Sequence, residues 1–253
     1  MTGSELAEFF LANQELLWLT TLVADLGCTL LLYRFFGKAG LQVAIATSIL
    51  LANLQGPKLT IIFGFQTSMG VIFYSSIFFA TDVLSENYGK KAAAKAVWMG
   101  FAVSAIVVLM MSLALLYQPS DRAATAAFSR DVHEAFDTIF NFTPRFVFGS
   151  LAAYLISQRF DVYAFHRIKA WTGERWLWLR NNLSTMSSQV IDTLVYSLVI
   201  WWGVVDLRTA LALGAVKYGF KVAIAMIDTV FIYWARRVHR QRHSANDAGA
   251  LPP

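Results

Sequence analysis

The chain has one cysteine, Cys28, and five prolines among its 253 residues. A lone thiol inside an apolar block excludes an intramolecular disulfide and a thiolate metal centre. Histidine is scarce as well: His133, His166, His239 and His243 all fall in stretches that read as loops or tail. There is no HExxH pair, no GxSxG elbow and no glycine-rich phosphate loop, so the usual residues of zinc peptidases, serine hydrolases and nucleotide-binding enzymes are missing. Charged residues make up only 15% of the chain, too few for the surface of an ordinary soluble domain. The first thirteen residues contain Glu5 and Glu8 and no basic run, so no cleavable export signal is expected.

Hydrophobic sequence is what the chain has in quantity. Apolar residues make up 57% of it, mean hydropathy is +0.52, and they come in long blocks with the charges gathered between them. A helix needs about 20 residues to cross the hydrocarbon core. The blocks therefore predict an all-α fold, a polytopic membrane helical bundle in one domain over 1–240, followed by a disordered tail over 241–253. Seven spans are expected, at about 16–36, 41–57, 67–86, 96–117, 144–160, 183–203 and 210–234. Between the second and third, the apolar stretch up to Phe65 either continues the helix with a kink or dips back as a loop. The segment 118–143 reads as a short amphipathic helix on the membrane surface, with Phe128, Val132, Phe136, Ile139 and Phe140 at helical spacing.

The pI of about 9.4 could suggest a nucleic-acid partner, but the basic residues lie in short loops and the tail, where they report topology. Arg34, Lys38, Lys90, Lys91, Lys95, Arg159, Arg167, Lys169, Arg175, Arg180, Arg236, Arg237, Arg240 and Arg242 all fall on one side of the expected bundle. Lys58, Arg122, Arg130, Arg145 and Arg208 fall on the other. The richer side is expected to be cytoplasmic, which puts the N-terminus outside and the C-terminus inside.

Polar residues inside the spans carry the chemistry. Asp192 and Gln189 sit near the middle of the sixth, on one face with Tyr196. Ser75, Asp82 and Glu86 share a face of the third span, and Lys217, Lys221 and Asp228 a face of the seventh. Two acids one turn apart, Asp82 and Glu86, repel unless a base, proton or ligand joins them. Lys221 is the expected neutraliser of Asp82, Asp192 or Asp228. Either these faces meet as a buried ion-pair network or they line a cavity. The alternation Ala44, Ser48, Ala52, Gly56 gives the second span a small-residue stripe for close helix approach or for docking a partner, with Asn53 beside it. Asp192 and Asp228 could mimit an intramembrane aspartyl protease pair, but both stand in Ile-Asp-Thr contexts, unlike those enzymes. No catalytic role, metal or cofactor is expected.

The runs IFFATDVLSENYGKKAAAKAVWMGF, AYLISQRFDVYAFHRIK, WLRNNLSTMSSQVIDTLVY and KVAIAMIDTVFIYWARR resemble the queuosine-precursor transporter family, also called VUT. The resemblance covers most of the chain from about Ile45 to Arg237. It implies inner-membrane import of 7-cyano- or 7-aminomethyl-7-deazaguanine. It also implies a six-helix core similar to the substrate-binding components of energy-coupling-factor vitamin transporters, here with an extra N-terminal helix. The alternatives are a substrate-capture subunit working with an ATPase module and a transporter of another flat heterocycle; a homodimer is compatible with either. The expected binding residues are Asn53, Tyr74, Phe78, Asp82, Glu86, Gln189, Asp192 and Lys221. An acid would take the donor edge of the base, an amide or ammonium its O6, and an aromatic ring its face. Asp82 and Lys221 could instead form a gating pair.

Overall fold

The structure, a computed structural model, describes residues 3–56, 58–140, 144–173, 175–201 and 206–249. Among these residues the fold is a helical bundle with one small hairpin. In chain order the elements are α1 Gly3–Ala12, α2 Gln14–Phe36, α3 Lys38–Gln55, β1 Leu59–Ile62, β2 Phe65–Ser68, α4 Gly70–Tyr88, α5 Lys90–Ala114, α6 Ala126–Phe140, α7 Pro144–Thr172, α8 Leu177–Trp201 and α9 Leu207–Gly249. Three of the helices, α2, α5 and α9 as far as Gln241, are long and apolar enough to cross a membrane by composition alone. With the apolar blocks of the sequence, this makes the chain an all-α membrane bundle.

Each expected span falls on a long helix, and the boundaries differ for physical reasons. Residues 67–68 belong to β2, so α4 starts at Gly70. β1 and β2 pair antiparallel with Leu59 opposite Ser68 and Ile62 opposite Phe65. The stretch is thus a hairpin, and neither a kinked helix nor a plain loop. β-Branched Thr60, Ile61 and Ile62 favour a strand, and Phe63 and Gly64, both at positive φ (51° and 77°), close it as a two-residue turn. α7 runs to Thr172, twelve residues past the expected end at 160. Its later residues alternate polar and apolar faces, which lowers hydropathy without breaking a helix. α9 continues to Gly249 across most of the segment expected to form a tail, and residues 250–253 lie outside the described residues. The link between the last two expected spans falls partly on residues that are not described. At its near edge Asp206 accepts the Thr209 hydroxyl (2.6 Å) and backbone N–H (3.1 Å), which caps α9 and holds the carboxylate below its ordinary pKa.

α4 is the central helix. From Val71 to Ser85 all its side chains are buried except that of Tyr74, which is half-buried. α3, α5, α9, α2 and α7 all pack against it. The small-residue stripe is covered from within the chain: Ala44 and Ser48 are buried, and a Cβ on Gly70 of α4 would come within 2.7 Å of the Ala52 carbonyl. α2 buries Trp18, Leu22, Leu26, Thr29 and Tyr33. It is tied in by Ser76 donating to Asp25 and by the Tyr33 hydroxyl, which meets His239 Nδ1 at 2.9 Å and accepts from Asn87 at 3.1 Å. α6 buries none of its side chains, and Phe128, Val132 and Phe136 are exposed on it.

The α2–α3 turn is the tightest point. A Cβ on Gly40 would lie 2.0 Å from the Leu32 carbonyl oxygen, a backbone atom that cannot step aside. Overpacking of this kind costs about 1–3 kcal/mol. Gly40→Ala is therefore expected to lower the melting midpoint of the detergent-solubilised protein by roughly 5 °C; an unchanged midpoint would show that the two helices can part freely there.

Candidate functional site

The interior of the bundle holds a polar column running along α4, α7, α8 and α9. On α4, Tyr74, Phe78, Asp82 and Glu86 are spaced four apart and so share a face, spanning ~18 Å from first to last. α8 runs antiparallel beside them and meets them in order: Asp192 at Tyr74, Thr185 at Asp82 and Arg180 at Glu86.

At the first level both oxygens of Asp192 are engaged. The Tyr74 hydroxyl donates to Oδ1 at 2.5 Å, Ser157 of α7 donates to the same oxygen at 3.3 Å, and Lys221 of α9 forms a salt bridge with Oδ2. The Lys221 ammonium also lies 4.8 Å from the centre of the Tyr74 ring, within cation–π range. Asp192 and Lys221 are each 4% exposed. Beside this level a cavity of about 60 Å³ opens among Asn53, Tyr74, Ile77, Ser104, Ser150 and Tyr154. The Phe78 ring lies 5.8 Å from that of Tyr74.

Asp82, Asp161 and Asp228 hold the third level, on α4, α7 and α9, and are all buried. Their partners are neutral: Thr185 donates to Asp82 (2.9 Å), Ser188 to Asp161 (2.9 Å) and Asn181 to Asp228 (3.0 Å). The expected pairing of Lys221 with Asp82, or with Asp228, does not occur; Lys221 goes to Asp192 because α9 places it level with the upper acid. At the basic end Glu86 is clamped by a fork from fully buried Arg180 (Nη2 2.6 Å, Nε 3.1 Å), by Lys169 at 3.1 Å and by Arg236 at 3.5 Å. The repulsion expected between Asp82 and Glu86 is thus relieved by bases on α7, α8 and α9.

The second level, between these, contains Gln189 and Gln158. Gln189 lies between Thr185 and Asp192 on the same face of α8, which brings it opposite Phe78. Gln158 lies on α7 three residues before Asp161. They are 1% and 0% exposed, and all four of their amide N and O atoms lack a hydrogen-bond partner.

Of the expected binding residues, the structure thus brings together Asn53, Tyr74, Phe78, Gln189, Asp192 and Lys221. Asp82 is one level further on, and Glu86 is drawn into the basic-end clamp. Sequence reading missed Ser157, Gln158, Asp161, Arg180 and Asn181. The expected fifth span stopped just before Asp161, and Arg180 was assigned to a loop. The available signal was the spacing of Ser157 and Asp161, four apart, in an otherwise apolar run.

Such a buried column, formed by several helices of an apolar bundle and flanked by a cavity, defines a polytopic membrane protein with an internal polar site, the arrangement of a small-molecule transporter. Residues 68–235 match the family described as "Putative vitamin uptake transporter". The chain is 37% identical over 223 residues to the "Probable queuosine precursor transporter" of Bacillus subtilis (strain 168), covering 87% of this chain and 94% of that protein. It is 29% identical over 176 residues to the "Queuosine precursor transporter" of Escherichia coli (strain K12), covering 68% and 73%. The corresponding protein of Haemophilus influenzae is 27% identical over 180 residues, 68% of each chain. No solved structure matches the fold. The chain belongs to the queuosine-precursor transporter family of vitamin-uptake-type membrane proteins.

Removing one partner of a buried ion pair strands the other charge, at a cost of about 3–5 kcal/mol. Glu86→Gln is accordingly expected to lower thermal stability in detergent by several degrees; a wild-type melt would mean that Arg180 finds another acceptor and that the clamp is dispensable.

Proposed function

We infer that this protein imports a queuosine precursor, 7-cyano- or 7-aminomethyl-7-deazaguanine, across the inner membrane, and that the ring binds between α4, α7 and α8. One observation carries the reading: in a family whose curated relatives bear that name, the polar faces of these helices converge on a buried acid–base pair, Asp192 and Lys221, beside aromatic side chains and a cavity. A guanine-like edge presents N–H donors beside a carbonyl acceptor. Asp192 can accept the donors, Lys221 or Asn53 can donate to the carbonyl, and Tyr74 or Phe78 can cover the ring.

The cavity of about 60 Å³ is far below the ~300 Å³ at which ligand sites begin, so admission requires the helices to part. Tyr74 and Lys221 then exchange Asp192 for substrate, and the pair's burial keeps water out until they do. Glu86, ~18 Å along α4 from Tyr74, serves the clamp and not the ring. The basic end of the bundle, with Lys90, Lys91, Lys169 and Arg236, is assigned to the cytoplasm, which leaves the hairpin end outside. An ATPase-dependent capture role finds less support, because the small-residue stripe that suggested a docking face is covered by α4. The reading gives the chain no catalytic step.

Purified protein in liposomes is expected to take up a labelled 7-deazaguanine saturably. Asp192→Asn is expected to cut that uptake at least about tenfold at normal expression, the worth of one charge-assisted hydrogen bond. Undiminished uptake would remove Asp192 from the site, and binding without uptake would point to the capture role.

A further inference from the structure

The second level of the column has something the first lacks: polar groups with nothing to bond. Gln158 and Gln189 leave two carboxamides unpaired at 0% and 1% exposure. An unmade hydrogen bond in a dry interior costs free energy every time, and natural cores carry few of them. Two complete amide groups left open on the neighbouring helices α7 and α8 mark a place where a ligand supplies the missing bonds. A carboxamide offers an acceptor beside a donor, so its match is an uncharged heterocycle edge with a donor beside an acceptor. Being neutral, it cannot balance a charge.

Three residues further along α7, and four along α8 and α4, the chemistry changes sign. Asp82 and Asp161 lie beside each other at 1% and 0% exposure. Asp82 and Asp161 hydrogen-bond each other, acid to acid. Among the described residues no lysine or arginine forms a salt bridge with Asp82, Asp161 or Asp228; the clamp takes Lys169, Arg180 and Arg236 for Glu86, and Lys221 is spent on Asp192. Nor do the described residues include three ligands grouped to hold a metal ion. An uncharged reading edge and an acidic pair that no base meets are separated by about one helical turn, ~5 Å, which suits a single small molecule with a neutral amide-like edge and a short cationic arm.

We propose that, with the guanine-like edge on Asp192 and Lys221, Gln158 and Gln189 read the opposite edge of the ring, where N9–H stands beside N3, while Asp82 and Asp161 receive an ammonium, so that this transporter selects the aminomethyl precursor over the cyano one. The proposal rests on the queuosine-precursor reading above and adds to it the choice of substrate and the roles of Gln158 and Asp161. The nitrile arm has no proton to donate and no charge to balance, so it offers the acid pair nothing it lacks. The amine donates to both.

The test uses the full chain in lipid nanodiscs, with direct binding of 7-aminomethyl-7-deazaguanine, 7-cyano-7-deazaguanine and guanine. The aminomethyl compound is expected to bind at least about tenfold more tightly than the cyano compound, the discrimination one charge-assisted pair supplies. Asp161→Asn and Asp82→Asn, which keep shape and remove the charge, are expected to bring that ratio to about one. Gln158→Leu is expected to weaken both compounds alike. Equal or tighter binding of the cyano compound by the unmodified protein, a judgement that needs no variant to fold, overturns the proposal and leaves the importer reading intact. A ratio that survives both Asp substitutions, or binding indifferent to Gln158→Leu, also overturns it. Binding of neither precursor overturns the importer reading and this proposal together.

Discussion

The pairing of Asp192 with Lys221 is the interaction on which the rest of the interior depends. A charge in the hydrocarbon zone is costly unless it is matched, and matching these two requires α8 and α9 to lie side by side with Asp192 and Lys221 at one height. That register then fixes the neighbours. Tyr74 and Ser157 reach the same carboxylate from α4 and α7, and further along Asn181 meets Asp228. The hydrophobic faces allow many sliding positions of one helix on another; the ionic and hydrogen-bonded contacts select one.

The column is not uniform, and its differences sort its tasks. The basic end is saturated, with Glu86 held by three bases. The level of Asp192 is saturated too, in the closed arrangement. Between them lie the two glutamines, whose amides have no partner, and an acid pair that no base meets. On the proposed reading, the Glu86 clamp keeps the pathway shut, and the levels of Asp192 and of the two glutamines form the binding region. Helix α2 stands outside this division, packed against α3, α4 and α9 and tied to α4 through Asp25 and Ser76.

Much of this was legible in the sequence. Long apolar blocks announced the helices, and the acids within them announced a polar interior. Asp192, Gln189, Tyr74, Phe78 and Lys221 could be picked out because each interrupts or punctuates an apolar run. The hairpin at 59–68 was hidden because a short apolar stretch after a helix has no distinctive period, and only the Phe63–Gly64 pair hints at a turn. Arg180 and Lys169 were hidden for a different reason. Near a helix end a basic residue reads as a topology marker, and nothing local distinguishes one that faces solvent from one buried against Glu86. Asp161 and Gln158 were obscured by Arg159 and by the falling hydropathy beyond Phe160, which reads as the end of a span although the helix continues. Pairings across helices, such as Ser188 with Asp161, depend on tertiary register, which no single segment encodes.

A structure of the protein bound to 7-aminomethyl-7-deazaguanine, in nanodiscs with a rigid fiducial, tests the central claim most directly, that the buried column is the substrate site. The account predicts the ring against Phe78, its guanine-like edge on Asp192 and Lys221, its opposite edge on Gln158 and Gln189, and its amine at Asp82 and Asp161. A ligand seated elsewhere, such as at the hairpin end among β1, β2 and α6 with the column still closed, would contradict it.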